Sequence, residues 1–201
     1  MPVAPGVRTH NRAAARVTKI QLRRTALEHV RSAHVFDAYC GPDGEMFREV
    51  WKDATSYIGC DKELRIEDDR QRFVGDTIRV LRSVDLAPYN VFDVDAFGSP
   101  WESALVIAAR RKWEPEERGA LVVTDGGAVG VGFGFASDAL GELVGADRKT
   151  LGLGRDKAPA LHHAALKAWC ARSDVKIARI LTAQSVKGLL MLYSVVLFEG
   201  Q

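Results

Sequence analysis

Apolar residues recur along the chain in short runs, and the runs alternate with stretches of helical spacing. His34–Cys40 (HVFDAYC) reads as a buried strand that ends in the turn residues Gly41, Pro42, Asp43 and Gly44. Glu45–Asp53 follows as a short helix, and Ser56–Cys60 as a second strand ending at Asp61. A polar, charged helix comes next, then Arg72–Gly75 as a third strand ending at Asp76. Thr77–Ser83 is helical and Asn90–Phe97 (NVFDVDAF) is a fourth strand. Pro100 suits the first turn of a helix that reaches about Trp113, because a missing N–H costs nothing there. Gly119–Thr124 is a fifth strand. Strand and helix alternating at this spacing predict right-handed βαβ units and a parallel sheet.

The tail changes character. Ala158–Ala171 is a helix, and Val175–Ala183 and Leu189–Glu199 are β-rich runs on either side of a short turn at Ser185–Gly188. That is a hairpin pattern, so the last two strands run antiparallel. At the other end, a helix begins near Ala13, with Val17, Ile20, Leu27 and Val30 along one side and Leu22 off the stripe. Residues 1–12 read as a flexible basic arm ahead of a single domain spanning 13–201. Met1–Leu27 holds no acidic residue but carries Arg8, His10, Arg12, Arg16, Lys19, Arg23 and Arg24. Such a stretch is a solvated helix face, a phosphate-touching arm or, less in keeping with its scarce serine, a transit peptide.

Composition narrows the classes. A chain of 201 residues, 47% hydrophobic and 27% charged, buries a real core and is not disordered. The formal charge of +2 does not by itself argue for nucleic acid. No apolar run approaches the ~18 residues of a membrane span. Cys40, Cys60 and Cys170 are odd in number and lack CxxC spacing, which argues against disulfides and structural zinc and fits a reducing cytoplasm. His162, His163 and Cys170 match no ligand spacing and read as a helix surface; Cys40 reads as a small loop residue.

In a doubly wound sheet, ligands bind outside the carboxyl ends of the strands. Here four successive strand ends carry a carboxylate: Asp37, Asp61, Asp76 and Asp95. Gly41 and Gly44 let backbone approach a ligand, and their turn delivers the N-terminus of the next helix. Asp61 stands where the acidic residue after a dinucleotide loop accepts from two ribose hydroxyls, and Asp76 follows at the next strand end. Asp93 and Asp95 are two apart and share a face of the fourth strand, which is costly unless they are paired.

Five strands in βα units closed by a hairpin resemble the class I S-adenosylmethionine methyltransferases. The loop Asp37-Ala38-Tyr39-Cys40-Gly41-Pro42-Asp43-Gly44 is similar to the glycine loop of many RNA-modifying members. The resemblance implies an α/β fold: a doubly wound, seven-stranded, mainly parallel sheet with an antiparallel C-terminal strand. It implies S-adenosyl-L-methionine as cofactor and S-adenosyl-L-homocysteine (SAH) as product, held by Asp37, Tyr39, Gly41, Gly44, Asp61, Lys62, Asp76, Thr77 and Asp95. Asp43 falls where the methionine carboxylate is expected, and like charges repel. The run Asp95-Ala96-Phe97-Gly98-Ser99-Pro100 resembles the Asp-Pro-Phe-Gly-Ser/Thr-Pro motif of the tRNA guanine N2-dimethyltransferases, with Ala96 in place of proline.

By that resemblance Asp95 accepts the N–H of an exocyclic base amine and takes its proton, and Phe97 stacks on the base. Ser99, Pro100 and the basic Arg8, Arg12 and Arg16 face the substrate. The implied partner is RNA, with a homo-oligomer or a partner subunit as further possibilities, and without membrane or metal. Two other readings stand beside it. One is a methyltransferase for a small molecule or protein side chain; the other is a cofactor-binding scaffold without catalysis.

Overall fold

The computed structural model describes residues 13–63, 69–147, 154–185 and 190–201. Helix α1 (Ala13–Val30) leads into β1 (His34–Asp37), α2 (Glu45–Glu49) and a 3-10 turn at Trp51–Asp53. β2 (Ser56–Asp61), β3 (Arg72–Val74), α3 (Thr77–Ser83), β4 (Val91–Asp95) and α4 (Trp101–Arg110) follow. The second half holds β5 (Arg118–Asp125), α5 (Ala128–Gly132), α6 (Asp138–Val144), α7 (Ala158–Arg172), β6 (Val175–Gln184) and β7 (Leu192–Gly200). The strands form one seven-stranded sheet in the order β3-β2-β1-β4-β5-β7-β6. β1 to β5 pair in parallel, and β7 runs against both β5 and β6. The chain reverses its strand order at β1 and β4, which sets the switch point there.

Strand periodicity divides the core in two. Phe36, Phe92, Val94, Leu121, Val123, Val196 and Phe198 point to the layer covered by α4 and α7. Val35, Val91, Ala120, Val122, Val195 and Leu197 point to the other layer, with Leu22, Ala26 and Val30 of α1 and with Trp51. β7 is buried along almost its whole length because it lies between two strands and under both layers. Asp37, Asp93 and Asp95 fall at alternate positions from Phe36, Phe92 and Val94 and so belong to the α1 face.

Several boundaries differ from the sequence reading. β1 stops at Asp37, so Ala38–Cys40 belong to the turn. The predicted helix 45–53 breaks into α2 and the 3-10 turn. The stretch between β5 and α7, for which the sequence reading places no element, contains α5 and α6. In α1, Val30 is buried and Ile20 and Leu27 are half-buried as the stripe predicts, but Val17 is exposed and Leu22 is buried. Leu22 adjoins Arg23, which turns inward to reach carboxylates. The arm at 1–12, the polar helix after Asp61 and most of the turn at 185–188 lie outside the described residues. No helix among the described residues is long and apolar enough to cross a membrane.

Gly119 in β5 reports how tightly the α4–α7 layer is packed. A Cβ there would lie 2.4 Å from Phe198 Cε2 and 2.6 Å from Trp113 Cζ3. Both rings are buried and have little room to retreat. Gly119→Ala should therefore lower the unfolding free energy by about 1–3 kcal/mol, measured by denaturant titration; an unchanged midpoint would show that the rings move aside at no cost.

Candidate active site

The carboxyl ends of β1, β2 and β4 lie side by side in the sheet, and the turn after β1 leads out of them at the cleft side of the switch point. Gly41 and Gly44 both adopt left-handed φ, at 67° and 62°, which favours glycine. Nothing lies within 4 Å of where a Gly41 Cβ would be, so this face of the turn is open to a ligand. The Gly41 N–H donates to Asp61 Oδ2 at 3.1 Å, and the Glu63 N–H donates to Asp61 Oδ1 at 3.0 Å. Asp61 is only partly buried, and its oxygens retain lone pairs for a ligand. Asp76 caps α3 by accepting the Arg79 N–H at 3.1 Å, and Lys62 lies 3.5 Å from it. That backbone N–H, with help from Lys62, holds the Asp76 carboxyl below its usual range. Asp43 is exposed.

Other expected cofactor residues turn away from the cleft. Asp37 is 1% exposed. Its Oδ2 accepts from Tyr57 Oη at 3.1 Å and its Oδ1 from the Tyr39 N–H at 3.3 Å, so it braces the turn from beneath. Thr77 is buried and donates to the Ala38 carbonyl at 2.8 Å, tying α3 to the end of β1. The Tyr39 hydroxyl is held by Ser103 of α4 at 2.8 Å. The N-terminus of α2 carries Glu45, already paired with Arg16 at 2.6 Å, and is no anion site. Burial pushes the Cys40 thiol up to about 12, which keeps it protonated and inert.

Below the end of β4 lies a cluster of charge. Parallel register sets Asp37 beside Asp93, and Asp95 follows two residues on. Arg23 enters from α1, donating from Nε to Asp93 Oδ2 at 2.6 Å and from Nη2 to Asp93 Oδ1 at 2.8 Å and Asp95 Oδ2 at 3.0 Å. Trp51 Nε1 donates to Asp93 at 2.8 Å. Lys19, one helical turn before Arg23, places Nζ 2.8 Å from both oxygens of Asp95. Burial drives Asp37 well above the ordinary carboxylate range, and Asp93 adds to the effect. Burial raises Asp93 as well, against Arg23. At Asp95 burial also acts upward, but Lys19 and Arg23 outweigh it and hold the carboxyl below the usual range. With Lys19 and Arg23 in place, Asp95 is held as an ionised hydrogen-bond acceptor.

The rim beyond β4 and β5 is aromatic. Phe97, Phe133 and Phe135 are 65%, 75% and 73% exposed. Their loops are stitched together. Gly127 N–H donates to the Gly98 carbonyl at 3.0 Å, Ser99 Oγ meets Ser137 Oγ at 2.9 Å, and Phe135 N–H donates to the Gly130 carbonyl at 2.8 Å. Ser99 therefore anchors α6 and does not cap α4, where Pro100 holds the cap position and is buried. Ser99 itself is half-buried. Arg16 is already engaged by Glu45 and Glu49 of α2, so its charge is not available to a phosphate without breaking those pairs. Arg8 and Arg12 lie outside the described residues.

Sequence reading missed three groups. Lys19 and Arg23 were counted only as basic surface, although the buried Asp93 and Asp95 called for cations. Arg70, just before β3, is buried under the glycine turn. His162, expected on a helix surface, is buried in α7 and links Asp125 Oδ2 at 3.0 Å to Ser194 Oγ at 2.8 Å, with Thr182 Oγ1 2.9 Å further on. The Asp–His–Ser order resembles a nucleophilic triad, but Ser194 is wholly buried and no substrate reaches it. The chain instead joins α7 to β5, β6 and β7. A groove of about 850 Å³ lies along α4 and α6, away from the glycine turn.

The charge cluster generates a stability prediction. Arg23→Met leaves Asp93 and Asp95 without their shared cation and should cost about 3–5 kcal/mol by chemical denaturation at neutral pH. The Asp95 share has a definite sign. Its folded pKa lies below the unfolded value of about 3.9, so its contribution is complete above pH ~4 and is lost as pH falls through the folded value. A loss in Arg23→Met below about 1 kcal/mol would mean that water replaces the guanidinium.

No family model and no curated protein sequence matches the chain. Solved structures do. Trm1 from Pyrococcus horikoshii, in complex with S-adenosyl-L-methionine, aligns with 92% of this chain at a TM-score of 0.56 and 15% identity. The chain spans 56% of the length of that protein. The plantazolicin methyltransferase BpumL, in complex with a triazolic desmethylPZN analog and SAH, aligns with 96% of this chain and 87% of its own at a TM-score of 0.56 and 14% identity. The N-methyltransferase NodS from Bradyrhizobium japonicum aligns with 94% of this chain and 98% of its own at a TM-score of 0.53 and 10% identity. At such identities the likeness is one of fold, and the chain has the fold of the class I methyltransferases.

Proposed function

We propose that the protein is an S-adenosylmethionine-dependent methyltransferase that acts on the amine of an unpaired nucleobase in RNA. The observation that carries the cofactor half is the Asp61–Gly41 hydrogen bond, which fixes an open glycine turn beside a partly exposed carboxylate at the switch point. The donor set fits the group: Asp61 accepts from the ribose hydroxyls, Asp76 from the adenine amine, and the turn between Gly41 and Gly44 receives the amino-acid half. Bound S-adenosylmethionine supplies an electrophilic methyl on a sulfonium. The chain's own residues hold and orient the acceptor nitrogen in line with it. Asp95 accepts an N–H of the amine once Lys19 swings aside, raising electron density on nitrogen, and the released proton passes to water.

The exposed phenylalanines support a flat, unpaired base as substrate. Ring faces of Phe97, Phe133 and Phe135 offer stacking that hydrogen-bonded duplex bases cannot use. Arg8 and Arg12, in the acid-free N-terminal stretch, supply phosphate contacts. One observation favours a second reading. Asp95 is already occupied by Lys19 and Arg23, which suits a cofactor-binding subunit that does not turn over. The two readings part on methyl transfer to RNA by the wild-type chain.

Calorimetric titration with SAH should give micromolar binding to the wild type and none measurable to Asp61→Ala. A wild type that binds no SAH overturns the cofactor assignment. The double variant Phe133→Ala/Phe135→Ala should bind a single-stranded RNA oligomer about tenfold or more weakly, from ~1–3 kcal/mol per stacked base, with SAH binding intact. Equal RNA affinities would remove the aromatic rim from the argument.

A further inference from the structure

The glycine turn is held on one side by Asp61. On its other side lies Arg70, only 5% exposed, in the short segment before β3. Its Nη1 donates to the Cys40 carbonyl at 3.4 Å and the Gly41 carbonyl at 3.2 Å, and its Nη2 donates to the Pro42 carbonyl at 3.3 Å. Three successive carbonyls are thus gathered by one guanidinium. A Cβ on Gly44 would lie 2.3 Å from Arg70 Cζ, so the second glycine of the turn is required by this side chain as well as by its own φ. The space beside the Gly41 Cα stays open. Carbonyl oxygens bonded to Arg70 have a cation as partner, which offsets the repulsion they would otherwise offer an incoming carboxylate.

We propose that Arg70 is the positioning residue of the glycine turn and thereby sets affinity for the amino-acid half of the cofactor, without touching it. The inference rests on the methyltransferase reading above. The planar fork matters: two Nη atoms reach different carbonyls, which a single ammonium cannot do. The adenosine half belongs to Asp61 and Asp76, at the ends of β2 and β3, and is independent of these three hydrogen bonds.

The test compares two probes on the full chain. SAH carries the amino-acid half, and 5′-methylthioadenosine carries the adenosine without it. Calorimetry on wild type, Arg70→Ala and Arg70→Lys should show SAH affinity falling on the order of tenfold in both variants, the scale of lost hydrogen bonds to a charged group. Affinity for 5′-methylthioadenosine should stay within about twofold of wild type, which also reports that the variants are folded. Equal losses for both probes would make Arg70 a general structural residue and overturn the proposal. Unchanged SAH affinity in folded variants would overturn it as well. A wild type that binds neither probe would instead defeat the cofactor reading on which the proposal stands.

Discussion

Three carboxylates packed at the ends of two neighbouring parallel strands would repel one another and resist burial. Arg23 removes that obstacle. Its guanidinium bridges Asp93 and Asp95 from α1, and Lys19 completes the cover of Asp95. The helix is consequently fixed over the β1–β4 switch point by charge as much as by Leu22, Ala26 and Val30. Everything at the cleft depends on this. The end of β4 cannot present Asp95 unless Asp93 is neutralised behind it. The turn after β1 cannot rest on Asp37 unless the neighbouring charges are matched.

The frame so built separates support from contact. Asp37, Thr77 and Tyr39 face inward and shape the turn, while Asp61, Asp76 and Phe97 remain at least partly accessible. Asp95 stands between the two groups: it reaches the end of β4 but is occupied there by Lys19 and Arg23, which keep it ionised.

Much of the fold was legible because parallel strands buried on both faces spell out continuous apolar runs, and because their acidic ends punctuate them. The hairpin of β6 and β7 and the glycines at 41 and 44 were legible for similarly local reasons. Inward-facing polar residues were harder. Arg23 has the same spacing as a solvated helix position, and only the two aspartates 70 and 72 residues away give it meaning. His162 meets partners 37 and 32 residues distant, which no local pattern encodes. Thr77, a cofactor residue by resemblance, follows Asp76, and a helix start turns successive side chains by about 100°, which sends Thr77 into the core. Arg70 sits outside any periodic element, and its role exists only once the turn is folded over it.

β7 has a consequence for how the molecule is made. It is the last described strand to be synthesised, yet it lies between β5 and β6. Until it emerges from the ribosome, β5 offers a bare edge and β6 has no neighbour to join. Strands β1 to β5 can pair as they appear, whereas β6 joins the sheet only through β7. During that interval the waiting edge of β5 is the surface most exposed to mispairing with another nascent chain.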